Sequence, residues 1–172
     1  MMNFLFRKAS GQDVSGIMEI MNEAAADREH EEWFVSSDEE YVNRHLQEKG
    51  FVIVAEEEHG KMAGFFLVMY PNEKENLGNY LNFTPENLKK VVLMDTAVVA
   101  SDFRGFGLQG RMLQEAEKYI DTQKYKFALC TVHPDNIYSL RNMQNHGYQV
   151  QKTVQCYGGY TRYVLMKKLK ND

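Results

Sequence analysis

The stretch from Val91 to Val132 constrains this 172-residue chain more than any other. Val91 to Val99 is β-branched and apolar enough to predict a strand. Gly107 to Ile120 sets Leu108, Met112, Leu113, Ala116 and Ile120 on one helical face, and Phe127 to Val132 reads as a second, buried strand. A strand–helix–strand unit should hold its strands parallel with a right-handed crossover, which rules out a purely antiparallel sheet. The connection into the helix is Ala100-Ser101-Asp102-Phe103-Arg104-Gly105-Phe106-Gly107-Leu108-Gln109-Gly110. The first amides of a helix have no internal partner and sit at the positive end of its dipole. Glycines remove the Cβ atoms that would keep a phosphate away from those amides. Arg104 adds charge at the lip. The bland alternative is a tight turn with no ligand.

Around this unit the pattern continues. Phe4 to Ala9 predicts a first strand, and Ser10 with Asp13 an N-cap ahead of Val14, Ile17, Met18 and Met21, giving a helix from residue 11 to about 27. Arg28 to Ser37 reads as loop. Ser37 and Glu40 repeat the capping pattern before a short helix carrying Tyr41, Val42 and Leu46. Phe51 to Glu57 and Met62 to Tyr70 form a hairpin through His59-Gly60-Lys61. Residues 71–89 are a long polar excursion with one helical turn expected near Pro85; a loop of that length is more often functional than idle. Asn136 to Asn145 predicts a short helix stopped by Gly147. Two further strands, Tyr148 to Tyr157 and Tyr160 to Leu169, flank Gly158-Gly159. The order β-α-α-β-β-β-α-β-α-β-β makes a mixed sheet with helices on its faces, in one domain over residues 1–172.

Charge and composition narrow the function. Residues 1–60 carry 14 acidic against 5 basic side chains, and residues 61–172 carry 10 against 15. That modest basic excess suits a small polyanion, and it falls short of the basic stripe of a nucleic-acid binder. The acidic third reads as a solvated face, or as an attraction for a cationic substrate. Two cysteines, Cys130 and Cys156, make no disulfide framework and point to a reduced, cytoplasmic setting. The longest apolar run, Phe65 to Tyr70, is too short for a membrane span, and the N-terminus lacks a signal-peptide core. Cys130 and His133 form C-x-x-H, with His146 and Cys156 further on, but zinc needs four ligands at recognisable spacing and no paired C-x-x-C or H-x-x-x-H is present, so no metal is expected. Cys130 sits mid-strand and reads as inert filler.

Gly105, Gly107 and Gly110 satisfy G-x-G-x-x-G, the dinucleotide fingerprint. Only 62 residues follow Gly110, too few for a dinucleotide half-fold, and Asp135, near the expected acidic position, lies in a loop entering a helix. A nicotinamide-dependent oxidoreductase is therefore the remote alternative. Arg104-Gly105-Phe106-Gly107-Leu108-Gln109 instead resembles the [RQ]-x-x-G-x-[GA] turn of the GNAT N-acetyltransferase superfamily, with Gln109 at the last position and the glycine one residue later. Asn136 to Tyr148 resembles the family's asparagine, helix and Gly-aromatic block, and Phe6-Arg7-Lys8-Ala9 with Asp13 resembles its opening.

The resemblance implies the GNAT fold: a mixed, mostly antiparallel central sheet, one parallel pair at the acetyl-CoA site, and helices on both faces. It implies direct acetyl transfer from acetyl-CoA to the primary amine of a small molecule, both substrates being bound together. Dimerisation, common among members, is an assembly it allows. Ala97, Val98 and Val99 are implied along the pantetheine arm. The amides of Arg104, Gly105, Phe106, Gly107, Leu108 and Gln109, with Gly110, are implied at the pyrophosphate, and Asn136 and Ser139 contact the coenzyme from the following helix. Attack by an amine needs a base, for which Asp95, late in its strand, is the candidate; an ion pair or capping contact is the competing reading. The position where many members carry an acidic tyrosine holds Met143. Tyr138 lies five residues earlier on another face and reads as core packing. Tyr157 and Tyr160 read as ends of a hairpin, or as a pocket lip stacking on a cation. A coenzyme A sensor or degenerate member without transferase activity is the contrasting reading.

Overall fold

The structure is a computed structural model that describes residues 2–27 and 29–170. Its elements are β1 (Phe4–Lys8), α1 (Val14–Ala25), α2 (Glu39–His45), β2 (Gly50–Glu57), β3 (Met62–Met69), α3 (Pro85–Leu88), β4 (Val91–Val99), α4 (Leu108–Glu117), β5 (Phe127–Val132), α5 (Ile137–Asn145), β6 (Gln149–Cys156) and β7 (Tyr160–Lys168). The strands hydrogen-bond in the order β1-β2-β3-β4-β5-β7-β6. β4 and β5 run parallel, whereas β1–β2, β5–β7 and β6–β7 are antiparallel. The expected mixed sheet with one parallel pair is what forms. By contact density the chain divides into two compact units, Met1–Val68 with Thr96–Tyr119, and Met69–Asp95 with Ile120–Asp172.

In the first unit, successive residues of β2 and β3 are buried, including Val52, Ile53, Val54 and Ala55 and then Phe65, Phe66, Leu67 and Val68. Neighbouring strand residues face opposite sides, so both faces of this part of the sheet are covered. α1 supplies Val14, Ile17, Ile20 and Met21, and α4 supplies Leu108, Met112, Leu113 and Ala116. Both stripes match the periodicity read from sequence.

Element starts differ in instructive ways. A 3-10 turn, Gly11–Asp13, precedes α1. The Asp13 carboxylate accepts from the Ser10 amide at 2.7 Å, as the capping pattern requires, and also takes a two-pronged contact from Arg7 of β1 at 2.9 and 2.8 Å. Arg7 reaches Glu56 as well. α2 is capped by Asp38 instead of Ser37: its carboxylate accepts from the Tyr41 amide at 2.8 Å, a stronger acceptor one residue later. Of the expected loop at 28–37, Arg28 lies outside the described residues. The rest holds a 3-10 turn, Glu31–Trp33, with the His30 ring stacked on Trp33 at 3.7 Å.

The Arg7 guanidinium holds Asp13 below the usual carboxylate range. A depressed folded-state value stabilises the fold above the unfolded value of about 3.8, and the effect is lost as pH falls through the folded value. Asp13→Asn should therefore cost about 2 kcal/mol near neutrality, where charged hydrogen bonds are lost, and progressively less in acid. Melting curves of both proteins between pH 2.5 and 7 check this; a gap that does not close in acid would exclude the pair as its source.

In the second unit, β5 pairs with β7 over six positions, from Phe127↔Lys168 to Val132↔Tyr163. β7 pairs with β6 through a register shift between Val150 and Lys152. β6 begins at Gln149, one residue late, because Tyr148 is buried and its amide closes α5 on Met143 O at 3.1 Å behind Gly147 at φ +90°. The 71–89 excursion is a closed loop. It contains a 3-10 turn, Leu77–Leu81, and α3 near Pro85 as expected, with Thr84 as cap. Buried Asn76 ties its ends: Nδ2 donates to Leu88 O at 2.8 Å and Oδ1 accepts from the Gly78 amide at 2.9 Å.

Candidate active site

The glycine turn belongs to the first unit. Beyond β4, whose end has Val98 buried and Ala97 and Val99 half-buried, a 3-10 turn, Ser101–Phe103, precedes an extended Arg104. Gly105 (φ +86°) and Gly107 (φ +67°) then adopt the left-handed conformation that L side chains rarely accept. A Cβ built on either would meet nothing within 4 Å, so the outer side of the bend is open. Leu108, buried to 2%, pins the start of α4, and Gly110 is buried beside it. The first helical bond runs from the Arg111 amide to Gly107 O at 3.2 Å, so the amides of Leu108 and Gly110 lie ahead of it, at the positive end of the helix. Arg104, Gly105, Phe106 and Gly107 are exposed, and Gln109 is half-buried.

Packing holds that bend from behind. The Phe106 ring lies 5.6 Å from Phe4, which also meets Phe103 edge-on at 6.0 Å. Arg111 stands over Phe4 and Phe6 at 5.6 and 4.7 Å. The Ser101 amide donates to Glu23 at 3.3 Å. Inside the sheet, Gly64 of β3 lets the Val98 and Val99 backbone come close: a Cβ there would sit 2.7 Å from Val98 O.

The second unit holds a different group of side chains. The parallel ladder between β4 and β5 has three rungs, Val91↔Phe127, Val92↔Ala128 and Leu93↔Leu129. Met94 and half-buried Asp95 on β4, and Cys130, Thr131 and Val132 on β5, lie past its last rung. The Tyr157 hydroxyl, from the turn after β6, lies 2.9 Å from Thr131 Oγ1. Tyr157 is 47% exposed overall, yet the packing around its phenol, aided by the Asp95 charge, pushes it up to about 12 against the opposing Thr131 contact. Buried Arg162 of β7 stands over the rings of Tyr157 and Tyr160 at 5.8 and 5.4 Å. Those rings thus stack on a cation of their own hairpin.

Asn136 caps α5, its side chain accepting from the Ser139 amide at 3.2 Å. Both residues are half-buried. Met143 is buried, in keeping with an apolar position. Tyr138 corrects the expectation of core packing: it is 77% exposed, beside exposed Ile137. Burial pushes the Cys130 thiol up to about 12, which suits an inert side chain. Among the described residues, no group of His, Cys, Asp or Glu is arranged to hold a metal, and no helix is long and apolar enough to cross a membrane. Sequence reading missed Thr131 and Arg162. The alternation along β5 and β7 puts both on sheet faces, but nothing in it joins Thr131 to Tyr157 across 26 residues.

Comparison with known proteins bears on this arrangement. Residues 16–148 match the model of the acetyltransferase (GNAT) family. No curated protein matches the sequence. Among solved structures, yncA from Salmonella typhimurium, determined with its cofactor acetyl-CoA, superposes with a TM-score of 0.73 at 19% identity, covering 99% of this chain and 96% of that one. A GCN5-related N-acetyltransferase from Kribbella flavida gives 0.73 at 19% identity over 96% and 98% of the two chains. A GNAT-family acetyltransferase from Listeria monocytogenes gives 0.72 at 20% identity, over 96% and 95%.

Proposed function

Since this chain belongs to the GNAT acetyltransferase family, we propose that it transfers the acetyl group of acetyl-CoA to the primary amine of a small molecule, by direct attack with both substrates bound. The observation that carries the reading is the bend at Gly105 and Gly107, left-handed, open on its outer side and leading into the first turn of α4. The open space beside both glycines leaves room for a diphosphate to approach the main chain. The amides from Arg104 to Gln109, with Gly110, would hold that group, the Arg104 amide by giving up its 3.4 Å bond to Ser101 O; Ala97, Val98 and Val99 would line its arm. In the second unit, Asn136 and Ser139 would add contacts from α5. We assign the activity to one domain over residues 1–172 in the cytoplasm, a setting supported by two free, buried cysteines.

Acetyl-CoA would supply an activated acyl group. Asp95 would take the proton that an ammonium must shed before its nitrogen attacks. The nitrogen–carbon bond forms, the carbon–sulfur bond breaks, the adduct nitrogen releases its second proton to solvent to give the amide, and the thiolate takes a proton from solvent. Asp95→Asn should lower kcat by about 100-fold, the scale of a lost general base, and leave the Kd of acetyl-CoA unchanged. Release of coenzyme A thiol, followed over polyamines, amino sugars, amino acids and peptide N-termini, tests the whole reading. Tight acetyl-CoA binding with no acceptor in the panel would favour the sensor; no acetyl-CoA binding would end the transferase reading.

A further inference from the structure

Phe106 occupies the apex of the glycine bend, between two left-handed residues with no side chain of their own. A Cβ on either Gly105 or Gly107 would meet nothing within 4 Å, and the Phe106 ring between them is 45% exposed. Its support comes from one side. The ring rests on Phe4, with centroids 5.6 Å apart and planes tilted by 58°. Phe4 is held in turn by Phe103, which meets it edge-on at 6.0 Å and is itself 5% exposed. Arg111 stands over Phe4 at 5.6 Å. A row of rings, Phe103, Phe4 and Phe106, thus runs from the interior of the first unit and ends on an aromatic surface open to water. A lone exposed aromatic residue needs no explanation in itself. The position of this one does, because it lies between the amides assigned to the diphosphate.

We propose that the exposed Phe106 ring is a stacking platform for the adenine base of acetyl-CoA. This rests on the transferase reading above, and adds a side chain that tells an adenine-bearing donor from a bare pantetheine arm. The chemistry of the donor motivates it. Its adenosine is joined to the diphosphate through one methylene group, so a bend that grips the diphosphate has the base for a neighbour. Main-chain amides select charge, which an adenine ring lacks; the base has a flat π-face that an aromatic side chain matches. Among residues 104–109 the other large apolar side chain, Leu108, is 2% exposed and committed to the interior. The contact with Phe4 also orders the Phe106 ring in advance, which lowers the entropy lost when a ligand settles on it.

Proton NMR of acetyl-CoA bound to saturating protein tests the platform without an acceptor. The adenine ring protons should move upfield on binding to the wild type, because protons over an aromatic face feel its ring current. Phe106→Leu keeps an apolar contact with Phe4 but has no ring. It should return the adenine protons towards their solution positions, while the pantetheine methyl resonances keep their bound ones. Phe106→Trp should retain the upfield displacement. By calorimetry, Phe106→Ala should weaken acetyl-CoA binding by about 5- to 150-fold, the range of one lost base stack. Adenine protons that stay put on binding to the wild type, or move equally in Phe106→Leu, would overturn the platform and leave the transferase reading standing. Adenine and pantetheine resonances that change together in Phe106→Leu would overturn it too, by marking the ring as a support of the bend. Failure of the wild-type protein to bind acetyl-CoA would overturn both readings, through a different observation.

Discussion

Gly107→Val should abolish tight acetyl-CoA binding while leaving a folded protein. Gly107 sits at φ +67° as the residue before α4, and a side chain there meets open space, not protein. The fold therefore bears only the left-handed penalty, about 1–2 kcal/mol, or roughly 2–8 °C in melting temperature for a chain of this size. The ligand bears more. A branched side chain would occupy the room a diphosphate needs beside the first amides of α4. Hydrogen bonds to charged groups contribute about 1.5–3 kcal/mol each, so losing two removes at least about 3 kcal/mol. That is a weakening of roughly 150-fold or more. Calorimetric titration with acetyl-CoA reads the loss directly. Wild-type affinity in Gly107→Val would mean that the diphosphate, if bound at all, sits elsewhere.

The second large effect falls on stability. Gly64 lies inside β3, where replacing glycine by a residue with a Cβ ordinarily gains about 0.5–1 kcal/mol by restricting the unfolded chain. Here the sign should reverse. A Cβ at position 64 would stand 2.7 Å from Val98 O, 3.1 Å from Met112 Cε and 3.3 Å from Val99 Cα. The methionine tip can swing away; the β4 main chain cannot move without disturbing the Ala100 amide, which donates to Ala63 O at 2.9 Å. Overpacking of this sort costs about 1–3 kcal/mol, and valine should reach the top of that range. Urea denaturation should show Gly64→Val destabilised by about 3 kcal/mol and Gly64→Ala by roughly half as much. Unchanged midpoints would show that β4 yields more easily than its packing suggests.

Much of this architecture was legible because it rests on local rules. The 3.6-residue stripe of α4, the glycines before it and the asparagine block at α5 each specify an element, and the family resemblance joined them. The misses have physical causes. Ser37 and Asp38 both satisfy a capping pattern, and only the competition between a hydroxyl and a carboxylate for the Tyr41 amide decides the start of α2. Tyr138 stands five residues from Met143, about 140° around the helix, so burying one turns the other outward. The Arg7–Asp13 and Thr131–Tyr157 contacts join separate elements, and the second depends on a turn conformation that tyrosine rarely adopts. Candidate cofactor residues announced themselves through backbone requirements; a hydroxyl pair formed by tertiary structure had no such herald.

The short ladder between β4 and β5 has a mechanical meaning. From Cys130 to Val132 the ladder anchoring β5 is the one to β7, where Cys130 faces Leu165, Thr131 faces Val164 and Val132 faces Tyr163. The tip of β5 is thus stiffened from one flank, by the closing hairpin of the chain, and its alignment is inherited from that hairpin. Substitutions that loosen β7 should shift Thr131, and with it the Tyr157 hydroxyl 2.9 Å away, before they unfold anything.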